Sequence, residues 1–474
     1  MSQFRFESIK ENIPQELITL AELMDSEGFS LCAVGGLVRN SLLDLPIYDI
    51  DICSAMEPSR VIELCKAQGF TVVPKGIDFG MVEVHIGEFR FEHTTFRSDT
   101  YSDGGAHRPI AISFSKTPED DAFRRDFSVN ALYYLILSGE VLDPTGGLAD
   151  LEAGLIRTTS KDPRTVLSDD GLRIMRLVRF SAELGFDIEE SSMAAAKSLV
   201  KNLEDISSER IRDELNKILL SDIKYGERSA EKVFHGLELL KQVGAIGVIL
   251  PELALGEGIE QKPNYHRYDV LDHCLHSCAE ASPTLVLRLA GLLHDVGKPK
   301  VKLETGLMHG HDEAGEAIAK AILRRLKYDN KTVGEVCFLV RRHMFDLNNT
   351  AKERTLRQNF VRWGRTNSLN MCDIRRADFI GSGIIKGEVA SAERWERVLN
   401  TMQEQGVPFS QSELNCTGAD IMKWLDIDPG PAVAEVKKRL LAHCAVRPKD
   451  NTPEGLKRTA RGMLPVGQAG NDRQ

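Results

Sequence analysis

Two aspartates, Asp49 and Asp51, are separated by one residue in the segment YDIDIC. On an extended strand alternate side chains share a face, so the pair projects together. Carboxylates held that close repel each other unless a cation lies between them, and hard oxygen donors suit Mg2+. Such a pair is what two-metal phosphoryl transfer requires. Two aspartates facing water on an edge strand have the same spacing, and periodicity does not separate the two readings. Upstream, the short apolar run LCAV leads into Gly35 and Gly36, where missing Cβ atoms let the backbone approach a phosphate. Downstream, FRFEHTTFRSD places Phe89 and Phe91 on one face and Arg90 and Glu92 on the other, making Glu92 a third carboxylate or an exposed strand residue. In FRRDFSVNALYY, the groups Arg124, Arg125, Asp126 and Asn130 suit a triphosphate and a ribose hydroxyl, or equally a helix start with Asp126 as its N-cap.

Farther along, SDDGLRIMRLVRF reads as a helix with Asp170 and Arg173 three residues apart. An acceptor beside a fork of donors can pair with a base edge, and the same spacing makes an ordinary helix ion pair. In SSERIRDELNKILL, Arg210, Glu214 and Lys217 form a charged stripe, most simply an ion-pair ladder. A separate set surrounds LAGLLHDVGKPK, where His294 and Asp295 adjoin a Gly297-Lys298-Pro299 turn. With His273, His311, His343 and Asp378 they offer nitrogen and oxygen donors for a divalent metal.

The order GGLVRN, DID, EHTTFR, RRDFSVNAL resembles the class II tRNA nucleotidyltransferases, the group of bacterial CCA-adding enzymes and related poly(A) polymerases. The resemblance implies that Asp49 and Asp51 bind catalytic Mg2+, with Glu92 as a third carboxylate. It implies further that Gly35, Gly36 and Arg39 contact the triphosphate, and that Arg125, Asp126 and Asn130 lie near its phosphates and ribose. Asn40 stands where the family usually has Asp. The family's E-D-x-x-R motif stands here as Asp169 to Arg173, so Asp170 and Arg173 would read CTP or ATP, with Arg176 and Arg179 also on the nucleotide. Gly171 inside that helix is expected to cost up to about 1 kcal/mol relative to Ala. Arg210, Glu214 and Lys217 take a supporting part. The second set resembles the HD superfamily of metal-dependent phosphohydrolases, which implies His273, His294, Asp295 and Asp378 as ligands of Mg2+ or a divalent transition metal. His311 and His343 would serve a second metal or a phosphate. Implied partners are tRNA, CTP and ATP. The implied reaction is attack of the tRNA 3′-hydroxyl on the α-phosphorus with release of pyrophosphate, and, at the HD set, hydrolysis of phosphomonoesters or 2′,3′-cyclic phosphates on RNA ends.

Other outcomes are an A-adding enzyme, a poly(A) polymerase, or an HD phosphohydrolase with a non-catalytic RNA-binding head. The poly(A) polymerase pattern G-R/K-R/K-F is replaced by PKGIDFG, and the long segment between Arg97 and Asp126 speaks against a CC-only enzyme. Both aspartates of the D-x-D pair are present, against a reduced head.

These residues need a scaffold of more than one core, as 474 residues imply. The expected fold class is α+β: a mixed α/β nucleotidyltransferase head over 1–150, then mostly helical neck and body over 151–250. An HD domain over 251–385, a helical tail over 386–450 and a mobile tail over 451–474 follow. The turn-rich PELALGEGIEQKPN is the best internal boundary. A net charge of −10 opposes general binding to anionic polymers, so an RNA site must be a local basic surface. Nine Cys without a C-x-x-C pair fit reduced thiols. With no secretory signal or membrane-length apolar run, the expectation is a cytoplasmic protein.

Overall fold

The computed structural model describes residues 4–100, 111–226, 228–384 and 387–463. The chain forms two compact units, residues 1–254 with 325–327, and residues 255–324 with 328–474. The long segment before Asp126 falls partly on 101–110, outside the described residues.

In the first unit a seven-stranded mixed sheet runs, in spatial order, Thr71–Gly76, Met81–Ile86, Phe89–Thr95, Asp51–Ser54, Cys32–Val34, Tyr133–Leu135, Val141–Leu142. Only Asp51–Ser54 and Phe89–Thr95 pair in parallel; the remaining neighbours are antiparallel. Cys32, Val34, Cys53, Phe96, Ala131 and Tyr133 fill the core at its centre. Gly35, at φ +70, turns the chain out of Cys32–Val34 into the helix Gly36–Leu42, a backbone angle that L side chains adopt only with strain. The helix Leu172–Leu184 then packs on Ser208–Leu219 and Ala230–Gln242. Helix closeness there depends on Gly236, whose hypothetical Cβ would lie 2.9 Å from that of Ala182.

In the second unit Val270–Glu280 packs against Leu285–Leu293 and Arg365–Gly381. Gly291 permits the first approach, since a Cβ there would lie 2.8 Å from the Ser277 carbonyl oxygen. Asp269 caps the first helix by accepting from Asp272 N at 2.8 Å. Trp395, Phe360 and Phe345 form an aromatic core nearby. The stretch expected as a mobile tail instead carries a helix, Pro453–Arg461, because Leu456 and Ala460 are fully buried at helical spacing. Residues 464–474 lie outside the described residues. All nine cysteines are buried and outside disulfides. No described helix is long and apolar enough to cross a membrane.

Candidate functional site

Asp51 opens its strand, whereas Asp49 lies before it, outside the ladder and exposed, so the two do not alternate on one strand as expected. The partner that shares a face with Asp51 is Glu92, its register neighbour on the adjacent parallel strand. A Cβ at Gly35 would lie 3.7 Å from Asp51 Oδ2, so the glycine turn borders this carboxylate. Burial raises the Asp51 pKa; Arg125 opposes that shift, and the charges of Glu92 and Asp49 add to it. Asp51 therefore lies in the field of both other carboxylates. Glu92 meets Lys75 Nζ at 2.9 Å.

Beside them lies a cluster of arginines. Arg39 is buried and donates through Nη1 to Asn130 Oδ1, through Nε and Nη2 to Asn40 Oδ1, and through Nη2 to the Tyr225 hydroxyl at 3.2 Å. Burial lowers its pKa, against the fields of Tyr225 and Glu183. Arg125 Nε donates to Asp121 Oδ2 at 2.9 Å and to the Tyr133 hydroxyl at 3.0 Å. Asp126 accepts from Arg176 Nε at 2.7 Å and Asn130 Nδ2 at 3.1 Å. It caps no helix; the short 3-10 turn Ser128–Asn130 begins after Phe127. Despite the desolvation of burial, Arg176 and Asn130 hold the Asp126 carboxyl well below the usual carboxylate range. Arg39, Arg176 and Arg179 all lie against the Phe180 ring, at 5.1, 5.3 and 3.9 Å from its centre.

Asp170 and Arg173 do not share a helix. One helix, Pro163–Asp169, ends at Asp170, and the next starts at Leu172. Their link is a backbone one, Arg173 N donating to the Asp170 carbonyl at 2.9 Å, while the side chains turn elsewhere: Asp170 Oδ2 accepts from Arg210 Nη2 at 2.6 Å, and the Arg173 guanidinium donates to the Val166 and Arg124 carbonyls at 3.0 and 2.6 Å. Arg210 thus leaves the expected ladder. Glu214 accepts instead from Arg179 at 2.5 Å and from Lys217 at 3.2 Å. Gly171 is a junction residue rather than a helix-interior one, and a Cβ there would lie 2.6 Å from the Asn202 carbonyl oxygen. Gly171→Ala is therefore expected to cost about 1–3 kcal/mol by overpacking, read as a lowered thermal midpoint. An unchanged midpoint would show that the Asn202 turn yields freely.

In the second unit the histidines and aspartates converge. His273, His294 and Asp378 place ligand atoms within 4.8 Å of one another, as do Asp295, His311 and His343. Asp295 joins the two groups: Oδ2 is 3.3 Å from the Nε2 atoms of His273 and His294, and Oδ1 is 3.1 and 3.4 Å from those of His311 and His343. His294, His311 and His343 each donate Nδ1–H to a backbone carbonyl, of Gly291, Met308 and Val340. In a neutral ring this leaves the Nε2 lone pair facing inward. The Nε2 atoms of His311 and His343 are 3.0 Å apart, so two lone pairs face each other unless a proton or a cation lies between them. Although burial lowers it, the fields of Asp295 and Asp378 raise the His294 pKa to about 10. This buried donor set fits a divalent metal.

The sequence carries no sign of Tyr225 and gives Lys298 only a place in the Gly297-Lys298-Pro299 turn. Lys298 pairs with Asp295 and donates to Gln261 Oε1 at 2.7 Å. Its position one helical turn after Asp295 was the available signal. Tyr225, far from Arg39 in the chain, carried none.

A strand-and-glycine head bearing paired carboxylates is thus followed in the chain by helices and a buried His/Asp centre. Residues 31–157 match the model of the poly A polymerase head domain, 185–255 that of the probable RNA and SrmB-binding site of polymerase A, and 265–380 that of the HD domain. An A-adding tRNA nucleotidyltransferase of Deinococcus radiodurans is 33% identical over 89% of this chain and 92% of its own length. A CCA-adding enzyme of Leuconostoc citreum is 39% identical over 44% of this chain, a match spanning about half (51%) of that relative. The Bacillus stearothermophilus CCA-adding enzyme in complex with CTP shares the fold, with a TM-score of 0.69 at 24% identity over 94% of this chain and 96% of that one. The chain belongs to the tRNA nucleotidyltransferase family.

Proposed function

We propose that this protein adds CCA to the 3′ end of tRNA from CTP and ATP, releasing pyrophosphate. The observation that carries the reading is the Asp51–Glu92 register pair beside the Gly35 turn, with Asp49 adding its charge and arginines on the adjoining side. The field of Glu92 and Asp49 on Asp51 fits Mg2+, which Asp49 and Asp51 would hold with Glu92 as a third group. When bound, Mg2+ supplies acidification of the attacking hydroxyl and charge compensation for pyrophosphate.

The chain's own residues do the rest. Gly35 and Gly36 leave backbone open to the triphosphate, and Arg39 and Arg125 supply cations for it. Asp126 and Asn130, tied to Arg176 and Arg39, stand for the ribose side. Asp170, held by Arg210, and Arg173, held by the Val166 and Arg124 carbonyls, are the acceptor and the donor assigned to the base, with Arg176 and Arg179 on the same helix as Arg173. Arg210 orients Asp170, and Glu214 with Lys217 orients Arg179. In the HD unit, His273, His294, Asp295 and Asp378 would hold a divalent metal, with His311 and His343 beside Asp295 for a second. Its proposed chemistry is hydrolysis of 2′,3′-cyclic phosphates or phosphomonoesters on RNA ends. A second reading, addition of A alone, is favoured by the Deinococcus relative, whose match spans most of both chains.

The test supplies CTP and ATP, singly and together, to tRNA ending before CCA, after C-C, and complete. Addition of C, C and A, then arrest, is the expected result; A alone on the C-C end would select the second reading. In the same assay Arg173→Ala is expected to weaken the choice between CTP and ATP by about ten- to a hundredfold. Unchanged selection would remove Arg173 from base reading.

A further inference from the structure

Arg39 is 4% exposed, and a guanidinium so placed must find acceptors. Its neighbour Asn40, also 4% exposed, supplies the main one: Oδ1 accepts from Arg39 Nε at 3.0 Å and Nη2 at 2.9 Å. The other end of the same amide points to a different element. Asn40 Nδ2 donates to the Pro46 carbonyl at 2.8 Å, and the Asn40 carbonyl accepts from Leu45 N at 2.9 Å. Pro46 belongs to a stretch without regular secondary structure that runs up to Asp51 and includes Asp49. Asp44, at its start, holds φ +52, a left-handed backbone angle that needs support in a non-glycine residue.

We propose that Asn40 is a positioning residue for nucleotidyl transfer, one amide fixing Arg39 on one side and the loop that delivers Asp49 on the other. The proposal rests on the function read above. A carboxylate at this position accepts from Arg39 equally well but has no proton for Pro46. Asn40 therefore couples the placement of a nucleotide-binding cation to the placement of a metal-binding anion.

The test uses the full chain, tRNA ending in C-C, and ATP, varying ATP and Mg2+ separately for the parent, Asn40→Ala and Asn40→Asp. Loss of one buried hydrogen-bonding group corresponds to about a tenfold change in a binding constant. Asn40→Ala is expected to raise the ATP KM about tenfold and the half-saturating Mg2+ concentration several-fold. Asn40→Asp keeps the acceptor for Arg39, so its ATP KM should move less than that of the alanine variant. Its Mg2+ requirement should rise as far, because the Pro46 tie is lost. If Asn40→Ala fails to fold, the nearly isosteric Asn40→Asp carries the test through Mg2+ alone. Variants that lower only the thermal midpoint, with both concentrations unmoved, overturn the proposal while leaving the transferase reading intact. A parent chain that adds no nucleotide overturns both.

Discussion

Asp51→Ala is expected to abolish nucleotide incorporation, by roughly a thousandfold or more, the scale of removing a central electrostatic element from a phosphoryl-transfer site. Asp51 is half-buried between the Gly35 turn and Glu92, and burial together with the fields of Glu92 and Asp49 raises its pKa against Arg125. The folded state thus binds the Asp51 proton more tightly than the unfolded chain does. Ionisation of this group therefore counts against folding, by an amount that grows as pH rises from the unfolded carboxyl value of about 3.9 through the raised folded value and is constant above it. Asp51→Asn, which keeps the shape and removes the charge, should match the alanine variant in lost incorporation yet keep or raise the thermal midpoint at neutral pH. Steady-state incorporation onto tRNA and thermal denaturation read the two effects separately. Incorporation that survives Asp51→Ala combined with Asp49→Ala would end the transferase reading.

Asp295→Ala has an equally large expected effect on the other centre and almost none on the first. One of its oxygens faces His273 and His294 and the other faces His311 and His343, so a single truncation removes an anionic ligand from both groups. Elemental analysis of the purified variant should show loss of bound divalent metal. Hydrolysis of a 2′,3′-cyclic nucleotide should vanish, while incorporation onto tRNA stays within about twofold, since the residues assigned to the two centres share no partner and then act nearly independently. Truncation also strips the buried Lys298 of its carboxylate, a destabilising change. Asp295→Asn, which can still accept from Lys298, guards against reading an unfolded variant as an inactive one. Retained metal and hydrolysis in a folded Asp295→Asn variant would remove Asp295 from the ligand set.

Much of this arrangement was legible in residue order, and the exceptions have a common cause. Strand alternation put Phe91 and Glu92 on opposite faces, and the structure buries Phe91 fully while Glu92 lies alongside Asp51. Nothing local announced that pairing, because it is made between strands far apart in sequence. Spacing misled at Asp170, where helical periodicity ran through a junction that Gly171 and the Asn202 backbone impose. It misled again at Arg210: a long side chain at helical spacing from Glu214 reached Asp170 instead, forty positions away. The six His and Asp groups of the second unit were each visible, but their convergence on Asp295 arises only when separate helices pack, through Gly291 and its neighbours. The Pro453–Arg461 helix was overlooked because its composition is polar and its three buried residues, Gly455, Leu456 and Ala460, do not form an apolar run.

The burial of every cysteine gives the molecule an internal record of its own breathing. Cys32, Cys53 and Cys65 belong to the first unit, and Cys274, Cys278, Cys337, Cys372, Cys416 and Cys444 to the second. An alkylating reagent reaches a thiol in a packed interior only when the surrounding structure opens. The order in which these sulfurs are labelled under native conditions thus ranks the local opening of the transferase head against that of the HD unit and its tail, without any added probe.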